Sequence, residues 1–200
     1  MILAGGRSSR MGGGDKCLLP VQGKSLLAHI LDTITPQTSD VLINTNSDLK
    51  AFQTFGLTML PDAIPGFQGP LAGLLTGMLW SRRQYPHAVH LLSVASDTPF
   101  LSRNLVSKLS QALLDQKADI SIASCPQGTH PTIGLWPVDL AERLEHDLME
   151  TGVRGLHQWL RGFRVSHASF PSGAMMNINT LEDLRRGQDM GLSQPRLRIA

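Results

Sequence analysis

Apolar residues occur in two patterns along the first 125 positions, at helical spacing and as short unbroken runs, and the two patterns alternate. Over residues 24–35, Leu26, Leu27, Ile30, Leu31 and Ile34 share one helical face, and Pro36 just beyond stops the helix. Residues 40–46, DVLINTN, are a short apolar run that turns polar at its end. That is the pattern of a buried parallel strand whose carboxyl end faces a ligand crevice. A short helix is expected over 49–55 and a strand over 57–60, ended by Pro61 and Asp62. A Gly- and Pro-rich loop follows at 63–69, and Pro70 then suits the first turn of a helix whose apolar residues continue to Trp80. Residues 88–95, AVHLLSVA, predict the central strand, closed by the polar turn Ser96-Asp97-Thr98-Pro99. A helix starting at Ser102 or Arg103 carries Leu105, Val106, Leu109, Ala112 and Leu113 inward, and 120–123 supply a further strand.

This alternation predicts an α/β fold, a doubly wound and mainly parallel sheet with helices on both faces. Beyond Cys125 the pattern changes to a loop PQGTH, an apolar piece PTIGLW, a helix over 139–149 and a short helix over 156–161. This half is expected to lid the sheet. An edge strand is predicted over 163–170, a last strand at MNINT, and a helix at LEDLRRG capped by Thr180 with Asp183. One domain over 1–187 and a loose tail over 188–200 complete the expectation.

Composition narrows the function classes. The 200 residues are 42% hydrophobic, enough to bury one substantial core. Eighteen Lys and Arg against sixteen Asp and Glu leave a net charge of +2, too balanced for a chain that lives on nucleic-acid backbone or an anionic membrane. An aromatic content of 5% argues against a stacking platform for single strands. Two cysteines, Cys17 and Cys125, make no disulfide framework and have no metal-site spacing, so a reducing, cytoplasmic setting is expected. No signal peptide is expected before Leu3, and no apolar run approaches the length of a membrane-spanning helix.

The chemistry concentrates at residues 3–19, LAGGRSSRMGGGDKCLL. A strand that ends at Gly5-Gly6, followed by Gly12-Gly13-Gly14, leaves backbone amides open to a polyanion, and Arg7, Arg10 and Lys16 add full positive charge. No Gly-x-Gly-x-x-Gly frame is present. Gly23-Lys24-Ser25 imitates the end of a Walker A loop, but the position that requires its first glycine is Leu18. In an open parallel sheet, ligands sit beyond the carboxyl ends of the strands, where Asn44, Asp62, the turn from Gly69 to Gly73 and Asp97 also fall. Asn44 is alternatively a turn former and Asp62 a loop cap. A carboxylate at Asp97 costs several kcal/mol unless solvated, paired or metal-bound, and metal binding is favoured over capping of the helix that follows.

These stretches, together with GPLAG at Gly69, SDTPFL at Asp97, HPTIGLW at His130 and NINTLEDL at Asn177 and Asn179, resemble nucleotidyltransferases that activate sugars and cofactors. They are most similar to the molybdenum cofactor guanylyltransferases, in the same order and over about residues 1–187. The resemblance implies a Rossmann-like sheet and transfer of GMP from GTP to the terminal phosphate of molybdenum-molybdopterin, with release of pyrophosphate. It further implies that Leu3, Ala4, Gly5, Gly6 and Gly73 contact the nucleotide, Lys16 its phosphates, Asn44 and Asp62 the nucleoside, and Asp97 both nucleotide and Mg2+. Arg10, Lys16 and Asp97 form the implied catalytic set. His130, Arg154, Asn177 and Asn179 are candidates for the acceptor pocket, because amides suit pterin edges and arginine suits phosphate. Transient contact with cofactor-delivering proteins is also expected. Only Met1 and Ile2 precede Leu3, so the first strand is expected to be shorter than usual in that family, and Ser96 stands where cysteine is frequent. A CTP-using relative and a non-catalytic nucleotide-binding module are the competing readings.

Overall fold

The computed structural model describes residues 1–4, 15–47, 49–66 and 69–190. Its centre is a seven-stranded sheet of β1 (Ile2–Leu3), β4 (Leu42–Asn44), β5 (Thr58–Leu60), β6 (His90–Ala95), β7 (Ile120–Cys125), β8 (Gly128–Pro137) and β9 (Val165–Ser169), ordered β5-β4-β1-β6-β8-β7-β9. Every pairing in it is parallel except the two made by β8. A small antiparallel hairpin, β2 (Pro20–Val21) with β3 (Lys24–Ser25), precedes the first helix.

The helices form where the apolar spacing predicts them. α1 (Leu26–Ile34) begins at Ser25, whose hydroxyl accepts the Ala28 amide at 3.1 Å, and it buries Leu26, Leu27, Ile30 and Ile34. Lys24 and Ser25 belong to the hairpin, so the helix starts two residues later than the apolar spacing alone suggests. α2 (Pro70–Gln84) starts on the proline, and α3 (Leu105–Asp115) turns Leu105, Leu109, Ala112 and Leu113 inward. α4 (Ala141–Met149), α5 (Leu156–Leu160) and α6 (Leu181–Met190) follow. Residues 49–55 form a 3-10 helix.

Side-chain alternation divides the core into the two layers of an α/β/α sandwich. Ile2, Ile43, Val94 and Ala123 pack with α1 and α3 on one face. Leu42, Leu91, Ile120 and Ile122 pack with α2, α4 and α5 on the other. The doubly wound, mainly parallel sheet expected from the alternation is therefore the observed one.

Two expectations are corrected. The second half does not lid the sheet: β7 and β8 form a hairpin with Cys125 paired to Gly128, and β8 inserts between β6 and β7. The PQGTH loop is the tight turn and first residues of that strand. Trp136 anchors it, fully buried, its indole N–H donating at 2.7 Å to the equally buried Ser93 hydroxyl. The second correction concerns MNINT, which is not a strand. It follows a 3-10 turn at Ser172–Met175 and crosses the end of the sheet, where Ile178 donates its amide to the Asp97 carbonyl at 2.8 Å. Its alternation is nevertheless real, because Ile178 is buried beside Val21 and Leu26 while Asn177 and Asn179 face outward. α6 continues to Met190, past the expected boundary at 187. No helix among the described residues is long and apolar enough to cross a membrane.

Candidate active site

Strand register brings the implied site residues to one edge. Leu3 lies between Asn44 and Ala95 at the carboxyl ends of three adjacent strands. Just beyond, the Ala4 amide donates to the Asn44 carbonyl at 2.8 Å and the Ser96 amide to the Leu3 carbonyl at 3.1 Å. Gly5, Gly6, Arg7, Arg10 and Gly12 to Gly14 lie outside the described residues.

The chain re-enters at Asp15, and the 3-10 turn Lys16–Leu18 carries Lys16 to Asp97. Their side chains meet at 3.4 Å and are 17% and 26% exposed, which leaves the pair open to solvent on one side. The Lys16 ammonium also donates to Asn179 Oδ1 at 2.6 Å. Thr98, fully buried, donates to Asn177 Oδ1 at 2.9 Å, and its hydroxyl lies 3.3 Å from Asp97 Oδ1. Lys16, Asp97, Asn177 and Asn179 thus form one cluster. Asp97 does not cap a helix, since α3 begins only at Leu105 behind Asn104. Partial exposure and the Lys16 partner meet its solvation cost.

A second cluster holds Asp62. The buried Asn44 amide donates to the Leu60 carbonyl at 3.2 Å and to Asp62 Oδ1 at 2.9 Å, and Asn46 donates to Asp62 Oδ2 at 2.8 Å. The Asp62 amide returns a bond to Asn46 Oδ1 at 3.0 Å. Asn44 therefore aims Asp62 and is not a turn former. Gly73 is buried on α2 against the same amide: a Cβ there would stand 2.6 Å from Leu3 Cδ2 and closer still to Asn44 Oδ1. Thr76, one turn on, accepts the Ala63 amide at 2.8 Å and ties the loop after Asp62 to the helix.

The remaining candidates are dispersed. His130 Nε2 lies 3.1 Å from Cys125 Sγ across the β7–β8 turn. Burial lowers the His130 pKa, an effect that the Asp97 charge opposes in part. Burial thus favours the neutral imidazole, a form that offers hydrogen bonds. Arg154 donates to the Leu148 carbonyl at 3.0 Å near the end of α4, so part of its guanidinium closes that helix. Its own carbonyl faces Gly69, at the start of α2. Cys17 is a buried filler whose thiol burial pushes up to about 12, which makes it unreactive. A cavity of about 530 Å³ opens at the opposite, amino-terminal edge, lined by residues such as Asp40, Tyr85 and His90, and contains none of the site residues.

Sequence reasoning did not single out Asn46, Thr98 or Thr76. Asn46 carried a usable signal, two residues after Asn44 on the same polar strand end. Thr98 and Thr76 act through contacts that no local pattern encodes.

Over residues 1–168 the chain matches the model of the MobA-like NTP transferase domain. The chain belongs to this family. A molybdenum cofactor guanylyltransferase of Bradyrhizobium sp. (strain ORS 278) is 39% identical over 199 residues, covering 98% of this chain and 94% of its own. One from Mesorhizobium japonicum (strain LMG 29417 / CECT 9101 / MAFF 303099) is 41% identical over 192 residues, with 92% and 91% covered. Among solved structures, the molybdopterin-guanine dinucleotide biosynthesis protein A of Archaeoglobus fulgidus superposes with a TM-score of 0.72 at 20% identity, covering 96% of this chain and 98% of its own. That likeness shows a shared fold.

Proposed function

We propose that the chain transfers GMP from GTP to the terminal phosphate of molybdenum-molybdopterin and releases pyrophosphate. The observation that carries this reading is the meeting of Lys16 and Asp97 at the carboxyl edge of the sheet, directly after the glycine-rich stretch of a MobA-like NTP transferase domain. The full-length similarity to guanylyltransferases supports the choice of substrates.

A phosphate nucleophile is already ionised at neutral pH, so no general base is needed and positioning with electrostatics supplies the catalysis. Lys16 offsets the repulsion between the two anions and the charge that collects on the departing pyrophosphate. Arg10 and the amides of the glycine-rich loop are assigned to add to it, while Leu3 and Ala4, whose backbone belongs to the sheet edge, are assigned to contact the nucleotide. Asn44 and Asn46 hold both oxygens of Asp62, leaving lone pairs on a fixed carboxylate that can accept the adjacent N1–H and 2-amino donors of guanine. Cytosine has no such pair. His130, Arg154, Asn177 and Asn179 are assigned to the acceptor side.

The donor set suits Mg2+. Asp97 is a hard oxygen ligand, and among the described residues no group of three His, Cys, Asp or Glu side chains forms a closed metal cage. Mg2+ typically takes one or two carboxylates with waters and substrate phosphates, so Asp97 alone fits it. Asp97 would hold the ion, which would supply neutralisation of phosphate charge and Lewis acidity there. We place the reaction in the cytoplasm, where the two unpaired thiols are stable.

Thermal shift tests base selection. GTP with Mg2+ is expected to raise Tm more than CTP or ATP at equal concentration, since a ligand at 100 times its Kd adds about 2.7 kcal/mol. Asp62→Asn should shrink the gap between GTP and CTP. Undiminished preference for GTP in that variant removes Asp62 from base reading.

A further inference from the structure

Asp183 is paired with Thr180 above only as the cap of α6 and has no part in the site, yet three bonds converge on one of its oxygens. The amides of Asn179 and Thr180 and the Thr180 hydroxyl each reach Asp183 Oδ2 at 2.9 Å. The Asp183 amide donates back to the Thr180 hydroxyl at 3.1 Å, closing a reciprocal capping box at the start of α6. A helix cap alone does not call for the bond to the Asn179 amide, one residue upstream. That bond fixes the backbone from which the Asn179 carboxamide reaches Lys16 at 2.6 Å.

The contact with Lys16 has a consequence for ligand binding. A lysine ammonium has three donors on a flexible stem, and ordering that stem costs up to about 2 kcal/mol of rotamer entropy. Asn179 and Asp97 occupy two donors, and among the described residues no other group takes the third. The Asn179 carboxamide is neutral, so it orients the ammonium without cancelling the charge a triphosphate needs. α6 is also tied to the same region farther along: Gln22 donates its side-chain amide to the Gly187 carbonyl at 2.6 Å and its backbone amide to Gln188 Oε1 at 2.8 Å. The helix therefore has anchors at both ends against the segment that carries Lys16.

We propose that Asp183 is a positioning residue for nucleotide binding: it holds the Asn179 backbone, and through the Asn179 carboxamide it sets the Lys16 ammonium for the phosphates. The proposal rests on the nucleotide reading above. It gives α6 a part in the site, beyond the packing of Ile178 and Val21 against Gly187.

Equilibrium titration with GTP and Mg2+ tests it, using the wild type, Lys16→Ala, Asn179→Ala, Asp183→Ala, Asp183→Asn and the Asn179→Ala/Asp183→Ala double variant. Asn179→Ala and Asp183→Ala should each raise Kd about tenfold, the scale of one hydrogen bond to a charged group. The double variant should be no more than about twofold weaker than Asn179→Ala, because residues acting in series are not additive. Asp183→Asn keeps an acceptor oxygen and should recover most of the affinity. General destabilisation of the fold would not produce that coupling. Additive losses, or an Asp183→Ala variant that binds like wild type, overturn the proposal. If wild type and Lys16→Ala bind GTP equally, the nucleotide reading itself fails, and the proposal falls with it.

Discussion

Asp97→Ala is expected to lower kcat by at least about a hundredfold, the usual cost of removing one electrostatic group from a preorganised site, with Tm nearly unchanged. The two expectations have different origins. For turnover, Asp97 is proposed to supply the carboxylate at the phosphate end of the site, and it stands beside Lys16 and directly beyond β6. For stability, its side chain is 26% exposed and its ion pair is open to water, the class of contact worth at most about 1 kcal/mol. The backbone bond from Ile178 to the Asp97 carbonyl survives the substitution, and Thr98 keeps its partner Asn177. Asp97→Asn preserves shape and removes charge, so it should be as inactive as the alanine variant. Lys16→Ala should also abolish transfer with the fold intact. Steady-state assays with melting curves check these expectations, and near-normal turnover in Asp97→Ala or Lys16→Ala removes the site model.

Gly73→Ala should damage the protein in both respects. The added methyl would overlap Asn44 Oδ1 and stand 2.6 Å from Leu3 Cδ2, and Asn44 is buried and bonded to Leu60 and Asp62. Either α2 moves away from the sheet or Asn44 releases Asp62. Overpacking of this kind costs about 1–3 kcal/mol, a drop in Tm of several degrees for a chain of this length. Because Asp62 is proposed to read guanine, the preference for GTP over CTP should fall as well. A variant that melts and discriminates like wild type would show that Asn44 does not depend on the space at Gly73.

Apart from the β2–β3 hairpin and the turn at Lys16–Leu18, the strands and helices up to residue 123 were legible because each rests on a local apolar period that the packing confirms: Leu27 and Ile30 face one layer, Leu74 and Leu75 the other. The position of β8 was not legible. A tight turn at Pro126-Gln127 and the burial of Trp136 decide it, and strand order is a property of pairing across the chain. MNINT shows the reverse error, a true alternation with no neighbouring strand to pair with. The same division runs through the site. Residues at strand ends, Asn44, Asp62 and Asp97, could be read from the turn from apolar to polar. Which side chains pair with which could not be read, since Lys16 and Asn179 are 163 positions apart and Thr98 and Asn177 are 79 apart.

Pyrophosphate release from the full chain with Mg2+ and molybdenum-molybdopterin tests the central claim most directly. The account predicts release with GTP that depends on the acceptor, little release with CTP, and loss of the signal in Asp97→Ala. Equal or greater release with CTP, or none with GTP, would contradict it.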